Sequence, residues 1–161
     1  MKRLIATNPD YSAPLIARVI LGLVIFPHGA QKLLGWFAGY GFEGTMEYMT
    51  VQMKLPWIIG CLVVLIESLG ALALIFGFLT RLFAFLMLCL FVAIIVRVQL
   101  SNGFFMNWDM LPDKPEGYEY HVLVAGLCLV LIITGGGKWS LDLLVNRLFF
   151  KGISQTRDTA I

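Results

Sequence analysis

The chain has 161 residues, 59% of them hydrophobic and 14% charged, with a mean hydropathy of +0.84. Soluble domains run at about 45–50% apolar and about 25% charged, so this balance excludes an ordinary soluble fold and indicates an integral membrane protein. A net charge of only +2, with no basic cluster, excludes a nucleic-acid partner, and the length fits one domain.

A membrane span needs about 20 mostly apolar residues. The first run of that kind extends over about 13–34. The preceding Met-Lys-Arg-Leu-Ile imitates a secretory signal. The run starts only after Pro14, however, and ends without a small-residue cleavage site, so a retained span is expected. It carries Arg18 and closes on Phe26-Pro-His-Gly-Ala-Gln-Lys-Leu33. There His28, Gln31 and Lys32 stand at i, i+3 and i+4 and share one helix face. Phe42, Met46, Met49 and Met53 then fall at helical spacing, which predicts a short helix resting on the mouth of the bundle.

The second span covers about 56–78, with Pro56 in its first turn. Glu67 falls inside it, roughly 16 Å below the outer end at 1.5 Å per residue. The third span covers about 81–100, with Thr80 as its expected N-cap and Arg97 near its far end. Only Gly77 to Thr80 separate the two, so they form a tight antiparallel hairpin. The fourth span, about 118–134, opens with Glu119 and His121 and stops at Gly135-Gly136-Gly137. Ser140 is placed to cap a last helix over 141–150. Its Leu141, Leu144, Val145, Leu148 and Phe149 oppose Asp142, Asn146 and Arg147, the pattern of a helix lying in the interface.

The expected fold class is therefore all-α: an integral membrane four-helix bundle with a short extracytoplasmic loop helix and a C-terminal interfacial amphipathic helix. Residues 1–150 form one membrane domain, and 151–161 a polar cytoplasmic tail. Lys2, Arg3, Arg81, Lys138, Arg147, Lys151 and Arg157 fall on one side of this arrangement. Positive-inside then puts both termini in the cytoplasm and the two long loops outside, in the plasma (inner) membrane of a bacterium.

The ordered pieces Arg18-Val-Ile-Leu-Gly22, His28-Gly-Ala-Gln-Lys32, Gly41-Phe-Glu-Gly-Thr45, Leu55-Pro56, the region of Glu67, Gly77-Phe-Leu-Thr-Arg81, Asn102-Gly-Phe104, Glu119-Tyr120 and Ser140-Leu-Asp142 resemble the DoxX family of small four-span membrane proteins. The resemblance runs from about Arg18 to Asp142. Arg97 departs from it, standing where the family is associated with histidine. The resemblance implies a component of an oxidoreductase system. Some members look like relatives of a thiosulfate:quinone oxidoreductase subunit, and others are linked to membrane complexes handling oxidative stress.

Ionisable residues inside spans are rare, turn toward the protein interior and are functional candidates by default. Arg18 and Glu67, at comparable depth on antiparallel neighbours, are expected to form a buried ion pair. Arg97 and Glu119 are expected to bridge the outer rim. Glu119 and His121 lie about 200° apart on a helix. The resemblance favours Glu119 as the inward one, leaving His121 peripheral or at a subunit contact with Ala125 and Cys128.

A quinone site needs an apolar slot, donors to the carbonyls and a group that passes protons. His28 is the expected proton-handling residue and Glu67 the relay. Gln31, Lys32, Arg97 and Glu119 contribute polar contacts, and Trp36 and Phe104 wall the ring. The competing reading has the same charges neutralise one another and merely hold helix register. Cys61, Cys89 and Cys128 sit in separate apolar runs without a C-x-x-C pair, so no dithiol motif and no metal site are expected. Two histidines facing apart argue against haem.

Two functions stay open at this point. One is a membrane subunit of a quinone-linked oxidoreductase system that depends on a partner for electrons. The other is a non-catalytic assembly or anchoring subunit of a larger membrane complex. No resident cofactor is legible beyond a quinone as ligand. Besides the lipid bilayer, the expected partners are other membrane or redox subunits, or further copies of the chain.

Overall fold

The computed structural model describes residues 7–8 and 10–150, without the side chains of 149 and 150. The regular elements among them are helical: α1 (Ala13–Leu34), α2 (Gly41–Glu47, continuing as a π-helical turn over Tyr48–Gln52), α3 (Trp57–Phe76), α4 (Thr80–Asn102), α5 (Glu119–Thr134) and α6 (Leu141–Phe150). In lipid no water satisfies backbone N–H and C=O groups, so an apolar run must bond itself internally, and a helix is the form open to it. α1, α3 and α4, at 22, 20 and 23 residues, are long and apolar enough to cross a membrane. α5 has 16 residues, hence about 24 Å of length against a hydrocarbon core of about 30 Å. The tail 151–161 and the charges at Lys2, Arg3, Lys151 and Arg157 lie outside the described residues.

The four long helices close a ring in which α1 packs on α3, α3 on α4, α4 on α5, and α5 back on α1. Leu21, Leu74, Met87, Phe91, Val124 and Leu131 fill its centre. Ile16, Leu23, Leu69, Leu123 and Ile133 point outward and exposed, as side chains in contact with lipid would be. Of the three cysteines Cys128 is buried, whereas Cys89 is exposed on the outer face of α4.

Small residues bring α1 and α3 together. A Cβ on Gly22 would sit 2.7 Å from the Ala71 carbonyl, and one on Gly29 would overlap the backbone of Glu67 and Ser68. Gly22 and Gly29 are seven residues apart and so share one stripe, which lets the two backbones touch. We expect Gly29→Val to destabilise the protein by about 1–3 kcal/mol, the cost of overpacking a tight contact. Gly126→Val, where a Cβ would meet nothing within 4 Å, should leave the unfolding midpoint in detergent unchanged. Equal midpoints for the two variants would remove the close-approach explanation.

At the end of the ring where α1 begins, Arg18 is 2% exposed. Its Nε donates to the Gly136 carbonyl at 2.9 Å, its Nη1 to the carbonyls of Leu74 (3.2 Å) and Ile75, and its Nη2 to those of Lys138 (3.2 Å) and Trp139 (3.0 Å). Asp142 joins the same knot by accepting from the Leu79 N–H at 2.7 Å and the Thr80 N–H at 2.9 Å. Asp142, rather than Thr80, therefore caps α4; the Thr80 hydroxyl lies inside the helix, buried and without a partner among the described residues. Ser140 caps α6, accepting from the Leu143 N–H at 3.1 Å.

Candidate functional site

The opposite end of the ring holds a cavity of about 640 Å³ between α1, α2, α3 and α4. α4 contributes Leu90, Ala93, Ile94, Arg97 and Val98, which repeat at i, i+3, i+4, i+7 and i+8 as one helical stripe. α2 with its π turn supplies Thr45, Tyr48 and Met49; α3 supplies Ile59, Val63 and Glu67; α1 supplies Gln31 and Lys32. Glu67 and Leu90 are buried at the closed end, while Tyr40, Tyr48 and Arg97 are exposed at the open one. The lining is mostly apolar with a few convergent polar groups, which is the character of small-molecule sites.

Three π-helical turns occur among the described residues: Tyr48–Gln52, Ile66–Gly70 and Ile95–Gln99. Each places residues in this one cavity, namely Tyr48 and Met49, Glu67, and Arg97 with Val98. A π turn inserts a residue into the helical ladder at a cost, and such turns recur at functional sites. Three such turns converge on this one cavity.

Lys32 and Glu67 form an ion pair across the closed end, with side chains 30% and 4% exposed. Among the described residues it is the one ion pair present. The contact of Gly29 on the Glu67 backbone explains it, because Lys32 lies one turn beyond Gly29 on the same side of α1. The expected Arg18–Glu67 pair is therefore not formed. In the antiparallel register set by Gly22 and Gly29, Arg18 falls beside Leu74 and Ile75. That is seven to eight residues, or about 11 Å, along α3 from Glu67.

The other expected residues divide. Gln31 lines the cavity edge and donates its amide to the Phe37 carbonyl at 3.2 Å. Arg97 lines the open side, but its pairing with Glu119 is not made. Glu119 instead accepts from the Met106 N–H at 3.3 Å and the Trp108 indole N–H at 3.4 Å, tying down the loop before α5. His28 is exposed and stands outside the cavity lining. Adjacent residues of a helix lie about 100° apart, so with Gly29 against α3, His28 turns toward α5, within electrostatic reach of His121. Trp36 and Phe104 are also outside the lining; Phe104 packs edge-on against Phe105 and Tyr118. Tyr40, Tyr48, Met49 and Met53 take their place as walls.

α5 presents the polar pair that sequence reasoning missed. His121 is not peripheral: its ring meets Phe91 at 5.4 Å, and its Nδ1 is buried without a partner among the described residues. The Tyr120 hydroxyl is buried and unpartnered in the same way, within electrostatic reach of Glu67. The signal was present in the spacing. His121, Val124, Cys128 and Leu131 recur at i, i+3, i+7 and i+10, and the last three are core residues.

A family model described as DoxX matches residues 13–100. Inner membrane protein YqjF of Escherichia coli (strain K12) is 31% identical over 135 residues, covering 83% of this chain and 92% of the relative. Inner membrane protein YphA of the same organism is 30% identical over 129 residues, 80% of this chain and 86% of the relative. "Putative oxidoreductase CatD" of Bacillus subtilis (strain 168) is 29% identical over 138 residues, 86% of this chain and 87% of the relative. No solved structure matches the chain.

Proposed function

The chain belongs to the DoxX family, and from that premise we propose that it is a multi-pass inner-membrane subunit of an oxidoreductase system that binds a quinone-like ligand in the cavity above Glu67. The observation that carries this reading is the 640 Å³ mostly apolar cavity closed by the ion pair of a buried Glu67 with a half-buried Lys32. A flat ring lies between the α4 stripe and the walls of Tyr48 and Met49. The Lys32 ammonium has three donors, of which Glu67 engages one, so it is able to bond a carbonyl oxygen at the closed end. Glu67 is the group that accepts and returns a proton there. His28, turned to α5, takes no part in this arrangement. The kinship with the protein named "Putative oxidoreductase CatD" supports the redox setting. The sequence carries no dithiol motif, so a partner subunit supplies the electrons.

Purification in mild detergent followed by extraction of bound lipophiles tests the reading. Stoichiometric quinone is expected with the wild-type chain, and loss of it with Ala93→Trp, which fills the cavity from its exposed wall without touching the ion pair. A quinone-free protein that binds no added quinone, yet co-purifies with a large complex, would overturn it in favour of the anchoring role.

A further inference from the structure

The charged side chains lining the cavity are Lys32, Glu67 and Arg97. Lys32 and Glu67 neutralise one another, which leaves the lining with one uncompensated positive charge on Arg97. Arg97 is exposed at the open side and makes no hydrogen bond or ion pair among the described residues. The nearby acids are committed or directed elsewhere: Glu119 holds Met106 and Trp108, Glu116 holds the Asn107 N–H at 2.8 Å, and Glu43 and Glu47 are exposed and outside the lining.

From this charge balance we infer that the ligand of the cavity is a lipophilic anion, with one ionised oxygen group seated on Arg97 and an apolar body running inward along Leu90, Ala93 and Ile94. The inference rests on the cavity reading above and narrows its ligand class. A cation beside a low-dielectric slot gains most from a counter-charge, and a planar guanidinium matches two oxygens of an ionised acid or enolate. Leu90 and Arg97 are seven residues apart on one stripe, so the anionic end stands about 10 Å from the closed end. The opposite, uncharged end of the ligand then meets Lys32. The orientation is thereby set: anion outward, hydrogen-bonding carbonyl inward.

The test uses the full-length protein in phosphatidylcholine nanodiscs and two matched probes, an alkyl naphthoquinone and its hydroxy analogue, which is an enolate at neutral pH. The enolate is expected to bind about tenfold more tightly, equivalent to about 1.4 kcal/mol. Arg97→Gln should bring the two affinities together, and Arg97→Lys should retain most of the preference. Competition against the enolate by added phosphatidylglycerol would also support the anion subsite and name the bilayer as its source. Equal affinities in the wild-type chain, or an unchanged preference in Arg97→Gln, would overturn the inference alone. Failure of both probes to bind would overturn the cavity reading and this inference together.

Discussion

Replacing Arg18 by methionine is expected to cost about 3–5 kcal/mol, because several buried backbone carbonyls lose their donor together. The guanidinium has five N–H groups. The five bonds made here reach carbonyls on two separate segments, Leu74–Ile75 at the end of α3 and Gly136–Trp139 before α6. Without it the carbonyls of Ile75, Gly136, Lys138 and Trp139 share a buried site with no donor of that reach, whereas Leu74 keeps the Gly77 N–H at 3.1 Å, and each unsatisfied group costs about 1–3 kcal/mol. Arg18→Lys should recover only part of the loss, because a single ammonium cannot span both segments in the same planar geometry. Denaturant unfolding in detergent reads the effect; a methionine variant within about 1 kcal/mol of wild type would show that the knot is not what holds this end together.

The second large effect concerns the ion pair at the closed end of the cavity. Lys32→Met should cost about 3–5 kcal/mol, since it leaves a carboxylate that is 4% exposed without its cation. Glu67→Leu should cost less, because the remaining ammonium is 30% exposed and has a longer, flexible stem. The double variant, Lys32→Met with Glu67→Leu, should return to within about 1 kcal/mol of wild type, as replacing a whole buried pair by apolar groups is often neutral. The same double variant should fail to retain quinone, separating the role of the pair in binding from its role in stability. Additive losses in the double variant would mean that the two residues are not coupled.

The helices were legible in the sequence because each is determined over a short range. The apolar runs at 13–34, 56–78 and 81–100 correspond to helices α1, α3 and α4, and the amphipathic spacing at 141–150 to α6. The residues of the candidate site were legible only in part. Gln31, Lys32, Glu67 and Arg97 do line one cavity, whereas His28, Trp36, Phe104 and Glu119 do not. Approximate depth in the membrane pairs Arg18 with Glu67, but it carries no information on how α1 slides against α3, and that axial register decides the contact. On α5, Glu119 was favoured by family pattern over the periodicity that runs through His121, Val124, Cys128 and Leu131.

By itself, then, the sequence determined that this is an all-helical membrane protein and where its helices run. Both follow from the cost of unbonded backbone in lipid and from the length of apolar runs. Only the tertiary structure decided which charges meet. Contacts across a bundle depend on the axial register and rotation of whole helices, and a shift of one turn moves a side chain about 5 Å. Here the backbone contacts at Gly22 and Gly29 set that register. They send Arg18 to the carbonyls of the knot at the opposite end of the ring and Lys32 to Glu67, and leave Arg97 as the uncompensated charge at the cavity mouth.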